Sequence, residues 1–135
     1  MGSYRVTTAL VRWLIIANMI IGFSTYGLAQ DIDSAKMDYE SNCGSCHGKN
    51  GQGDGPRSEQ LRAKPPNLTE LAKNNGGVFP SEVLYQIIDG RRTTRAHGTH
   101  EMPVWGNVFR TFGPEYIVRN RILAIIGYLK SIQVK

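Results

Sequence analysis

Two thiols and an imidazole stand side by side in Cys43-Gly44-Ser45-Cys46-His47. Cysteines spaced by two residues can each add to one vinyl group of a porphyrin. The adjacent histidine is then held under the iron, where a ring nitrogen completes one axial position. The five residues therefore read as a handle for one covalently attached haem c, and they use both cysteines of the 135-residue chain. A zinc site would have to recruit His97 and His100, whose two-residue spacing is tighter than the usual three to five. A thiol-redox module would need an alternation of strands and helices that the chain lacks.

The function then turns on the iron's other face. A haem with one protein ligand binds small molecules or does oxygen chemistry, whereas a haem with two usually passes electrons. Met37 is six residues before Cys43 on the same helix and cannot reach round to the far side. Met102, 55 residues beyond His47, has the reach, and Pro103 stiffens the backbone that presents its sulfur. His97 and His100 are rivals, and an imidazole in place of the thioether would lower the reduction potential. Trp105 is close enough in sequence to shield the site or to offer its indole N–H to a haem propionate.

Upstream elements set the compartment. Arg5 and Arg12 open the chain, Trp13 to Phe23 is a short apolar run interrupted by Asn18, and Gly27-Leu28-Ala29 offers a small-x-small cleavage site. Residues 1–29 thus read as a secretory signal peptide, with an uncleaved anchor as the alternative. The apolar run is shorter than the roughly 20 residues of a spanning helix, so no stable membrane insertion is expected after cleavage. Haem attachment outside the bacterial cytoplasm agrees with that leader and places the protein in the periplasm. Residues 30–135 are then one domain, and a large apolar cofactor would add to a core that a chain this small can build only partly from side chains.

Loss of Arg5 and Arg12 with the leader leaves 14 basic residues against 11 acidic ones. With no basic run and no aromatic platform, nucleic acid is not an expected partner. The charge is uneven nonetheless. Asp31, Asp33, Asp38 and Glu40 precede the haem handle, and Arg91, Arg92 and Arg95 cluster later, an asymmetry able to orient a charged partner or simply to solvate the surface.

Helices joined by loops must position these groups. Ala35, Tyr39 and Cys43 recur at a spacing of four, predicting a helix over 34–46 that delivers the thiols and His47 at its end and stops at Gly48. Four glycines between Gly48 and Gly55 predict a tight turn. A phosphate loop is not expected there, because no strand precedes it and no Gly-Lys-Ser/Thr closes it. Pro65-Pro66 holds the backbone extended, which makes the Pro66 carbonyl a candidate acceptor for the second ring nitrogen of His47. Ser81 is expected to cap a helix over 82–89 that ends at Gly90, with Val83, Leu84, Ile87 and Ile88 inward. Gly113-Pro114-Glu115 starts a last helix whose apolar side is read as Ile117, Leu123, Ile126, Leu129 and Ile132. Gly127 within it suggests a close helix crossing.

Taken in order, Cys43 to Gly48, Gly53-Asp54-Gly55-Pro56, Pro66-Asn67-Leu68, Met102-Pro103 and Ile126-Gly127-Tyr128-Leu129-Lys130 resemble the class I c-type cytochromes. The resemblance covers nearly all of the chain after the leader. It implies an all-α cytochrome c fold around one haem c, with His47 and Met102 as iron ligands. It also implies that the first and last helices cross near Ala35/Tyr39 and Ile125/Tyr128. The stretch from Arg91 to His100 is longer and more basic than in the smallest members. The expected function is periplasmic electron transfer to redox protein partners through the haem edge, by a free carrier or by the cytochrome subunit of an extracytoplasmic oxidoreductase. A haem enzyme or gas sensor with an open iron position is the alternative.

Overall fold

The computed structural model describes residues 32–92 and 102–134. The leader, Asp31, Arg95, His97 and His100 lie outside them. Among the described residues the secondary structure is helical, without strands, in keeping with the all-α expectation. Helix α1 runs over 32–42, and after a turn at Cys43 the chain continues as α2, Gly44–His47. Three short 3-10 turns (Ser58–Gln60, Leu68–Glu70 and Lys73–Asn75) lead to α3, Ser81–Asp89. Helices α4, Trp105–Arg110, and α5, Glu115–Ser131, complete the chain. Contacts divide the chain after Asp33, and the packing described below lies in the unit Ser34–Lys135. No helix among the described residues is long and apolar enough to cross a membrane.

The core is built on α5. Val118, Ile122, Ile125 and Leu129 recur at helical spacing, and Ile126 and Tyr128 join them inside. This stripe meets α1 at Ala35 and Tyr39, with the rings of Tyr39 and Tyr128 centred 5.1 Å apart and tilted by 44°. A charged clamp closes the same crossing. Arg121 Nε donates to Asp38 Oδ2 at 2.6 Å, its Nη2 donates to Asp38 Oδ1, and its guanidinium lies 4.1 Å from the centre of the Phe109 ring. Asp38, part of the acidic group ahead of the haem handle, is therefore a crossing residue rather than a solvated charge. The expected crossing of first and last helices is present.

Several local expectations are corrected. Ile117 and Leu123 are exposed, at 44% and 46%. Each is about 100° round the helix from a neighbour on the buried stripe, Val118 or Ile122, so neither faces the core. Among the described residues, nothing beyond its chain neighbours and its own helix backbone stands within 4 Å of where a Gly127 Cβ would be, so no described helix crosses there. Gly127→Ala should accordingly stabilise the protein by up to about 1 kcal/mol, measured as a melting temperature raised by several degrees. Ser81 is the first residue of α3 and not its cap. Pro80 occupies the cap position, and its carbonyl accepts from Leu84 N at 3.0 Å. Leu84 and Ile88 are buried on that helix, while Val83 and Ile87 are half-buried. Gly90 ends it in the left-handed conformation, as expected, at φ 91°. Pro114 precedes α5 in extended backbone instead of sitting in its first turn.

Candidate functional site

Cys43 is the N-cap of the short helix α2 and Cys46 lies within it, and both are free thiols, half-buried. His47 closes the helix at 9% exposure. A helix end leaves carbonyls without intrahelical partners, and here the glycine loop supplies donors. Gly53 N donates to His47 O at 2.7 Å, Gly55 N to Cys46 O at 3.2 Å, and Arg57 N to Ser45 O at 2.9 Å. The loop thereby folds back over the haem handle. Only glycine permits so close an approach: a Cβ on Gly55 would stand 2.5 Å from Ser45 O and 2.7 Å from Cys46 O.

The same loop places the next strip of backbone. Leu68 N donates to Gly51 O at 2.6 Å, and Gly53, at φ 77°, lies directly against the Pro65 carbonyl. The Pro66 carbonyl oxygen is thus held 3.4 Å from His47 Nδ1, long for a hydrogen bond but correctly paired in type. A hydrogen on Nδ1 donated to this carbonyl would put the ring's lone pair on Nε2. Beyond Pro66, Asn67 caps the turn by accepting from Thr69 N at 3.0 Å. The C-terminal end ties this strip to α5. Gln133 Nε2 donates at 2.7 Å to both Leu68 O and Leu129 O, and Val134 N donates to Thr69 O at 2.8 Å.

Burial pushes the Cys43 thiol up to about 12, with Asp38 and then Cys46 acting in the same direction. Cys43 therefore sits as a neutral, apolar-facing sulfur against the core. Among the described residues no group of three or more His, Cys, Asp and Glu side chains is placed to hold a metal ion. The donor set at α2 suits a porphyrin: one thiol at the cap of the helix, one within it, and an imidazole at its end facing an extended carbonyl.

A family model for cytochrome c matches residues 33–133. This chain belongs to the cytochrome c family. No curated protein and no solved structure matches it. The cytochrome binds haem c covalently and uses it for electron transfer to redox partners.

The remaining sequence-derived residues of the cytochrome lie in and just before α4. Met102 is half-buried in the bend that leads into α4. Trp105 opens that helix, half-buried against the core, with its ring centred 5.8 Å from that of Phe109 and 30° from parallel. Met37 is 69% exposed. Arg91, in the basic cluster read from sequence, is exposed and also pairs within the protein. Its Nε donates to Asp89 Oδ2 at 2.6 Å, and its guanidinium lies 5.9 Å from the centre of the Tyr85 ring. Arg92 is exposed.

Sequence reasoning missed Asp89. Its side chain is 1% exposed and is shared by Arg91 and Arg110. One signal pointed to it: a carboxylate in the last turn of a helix opposes the helix dipole and needs a cation nearby.

Proposed function

We propose that this cytochrome is a periplasmic electron carrier in which His47 and Met102 would ligate the haem iron and Cys43 and Cys46 would form the thioether bonds. The contact between His47 Nδ1 and the Pro66 carbonyl carries the reading. It orients the ring and raises its basicity, which is what a permanent iron ligand requires. Haem supplies a one-electron couple between Fe(II) and Fe(III). The chain's own residues hold it by two covalent bonds, fix one imidazole, and present a thioether beside the rigid Pro103. Two retained ligands keep rearrangement small on electron transfer. Trp105 shields the methionine side, and residues 1–29 direct the protein across the inner membrane as a cleaved leader. The reading covers a free carrier and the cytochrome subunit of a larger oxidoreductase, which co-purification separates.

The test is an optical spectrum of haem-loaded protein in both oxidation states. The ferric form should show a weak long-red sulfur-to-iron band that vanishes in Met102→Ala. The reduction potential of that variant should fall by on the order of 0.1 V, because thioether ligation raises it. Covalent haem should survive in Met102→Ala and be lost when Cys43 and Cys46 are both replaced by alanine. A band that persists in Met102→Ala rejects the ligand assignment. Rapid carbon monoxide binding by the wild-type ferrous protein would instead favour an open iron position.

A further inference from the structure

The buried carboxylate of Asp89 lies outside the haem handle and outside the core, yet it is one of the most firmly held groups in the protein. Arg110 Nη2 donates to Asp89 Oδ1 at 2.6 Å, and Arg91 Nε donates to Oδ2 at 2.6 Å. Arg110 also forks to Glu115, with Nε 3.0 Å from Oε2 and Nη2 3.2 Å from Oε1. The end of α3, the end of α4 and the start of α5 are thereby joined through one guanidinium. Bidentate arginine–carboxylate pairing fixes geometry as well as charge.

Backbone packing points to the same place. A Cβ on Gly106 would stand 2.5 Å from the Asp89 carbonyl oxygen and 2.7 Å from Oδ1, so α4 rests directly on the last turn of α3. Gly90, in left-handed backbone, lies directly against the side chain of Val104. Val104 and Gly106 flank Trp105, and Val104 is two residues from Met102 with Pro103 between. A displacement at Val104 therefore passes to Met102 through a short, stiff link. Asp89 sits at the end of α3 where the helix dipole disfavours a carboxylate, and the two arginines offset that cost.

We propose that Asp89 and Arg110 are positioning residues for the thioether ligand: they form a latch that holds the 102–110 segment against α3 and so keeps Met102 on the iron. This rests on the assignment of Met102 as the second ligand. Opening the latch raises the population in which the sulfur has left the iron, and an external ligand then captures that population. Its affinity scales with the fraction open.

The experiment uses the haem-loaded ferric protein titrated with imidazole, together with the sulfur-to-iron band and far-UV circular dichroism in urea. Arg110→Gln should raise imidazole affinity by on the order of tenfold or more. It should also move loss of the band about 1 M urea below loss of helicity. Arg110→Lys, which keeps the charge but loses the planar fork, should fall between wild type and Arg110→Gln. Asp89→Asn should match Arg110→Gln. If Asp89→Asn does not fold, Arg110→Gln decides alone, since Arg110 is partly exposed at 35%. Lys73→Ala, which removes only a surface pair with Glu70, should change neither readout. Wild-type imidazole affinity in Arg110→Gln, with only a lower unfolding midpoint, overturns the latch. Met102→Ala measured in parallel keeps the two failures apart. If it abolishes the band while Arg110→Gln leaves affinity unchanged, the latch alone is wrong. If Met102→Ala changes neither band nor affinity, the ligand assignment falls and the latch with it.

Discussion

Gly53→Ala should lower stability by roughly 3 kcal/mol or more and should raise the reduction potential as well. Two costs add at this position. The backbone is left-handed, at φ 77°, where a Cβ is penalised by about 1–2 kcal/mol. The Cβ would also be driven into the Pro65 carbonyl, which is backbone and cannot rotate away. Relief requires the Pro65-Pro66 strip to retreat. That strip carries the carbonyl 3.4 Å from His47 Nδ1, so retreat removes the acceptor that makes the imidazole a stronger donor. A weaker donor stabilises the ferric state less, and the potential moves up. Thermal unfolding and a redox titration check the two halves separately. A melting temperature and a potential both equal to wild type would show that the loop adapts and that its contact with Pro65 sets neither.

Tyr39→Ala should cost about 3–5 kcal/mol, comparable to truncation of other large buried aromatics. Tyr39 is 0% exposed, packs on Tyr128, and donates its hydroxyl to Gly48 O at 2.8 Å. It therefore ties the α1–α5 crossing to the residue that ends the haem handle. Tyr39→Phe isolates the hydrogen bond and should cost about 1–3 kcal/mol, because a buried carbonyl loses its donor. Burial pushes the Tyr39 phenol well above its ordinary value of 10.0. A raised pKa in the folded state means the proton is held more tightly there. The stabilisation is complete below pH 10.0 and is lost as the pH climbs above it. Stability measured by urea unfolding should thus decline in strongly alkaline solution, and the decline should be shallower in Tyr39→Phe. Parallel curves for the two proteins would show that Tyr39 is not the group responsible.

The glycine loop and the aromatic crossing differ in how far they could be read beforehand. Glycine density between Gly48 and Gly55 announced a tight turn, but not that its amides would cap the carbonyls of Cys46 and His47. Tyr39 and Tyr128 were expected at the crossing, and they meet there. Gly127 misled because a glycine in a helix is equally compatible with a close neighbour and with open solvent, and here it faces solvent. Ile117 and Leu123 misled because apolar identity was taken for direction. The buried stripe runs through Val118, Ile122 and Ile125 instead, and the helical period excludes the other two from it.

The amino-acid sequence by itself determined the chemistry: the thiol pair, its histidine and the helix that carries them are neighbours along the chain, so their spacing alone specifies how they can grip a porphyrin. It determined the helix ends at Gly48 and Gly90 for the same short-range reason, since left-handed backbone is open mainly to glycine. Tertiary structure decided which groups meet across long stretches of chain. Pro66 reaches His47 over 19 residues, Arg110 reaches Asp89 over 21, and Arg121 reaches Asp38 over 83. Those partnerships depend on how the packed helices orient their side chains, and no local periodicity encodes which arginine will face which carboxylate.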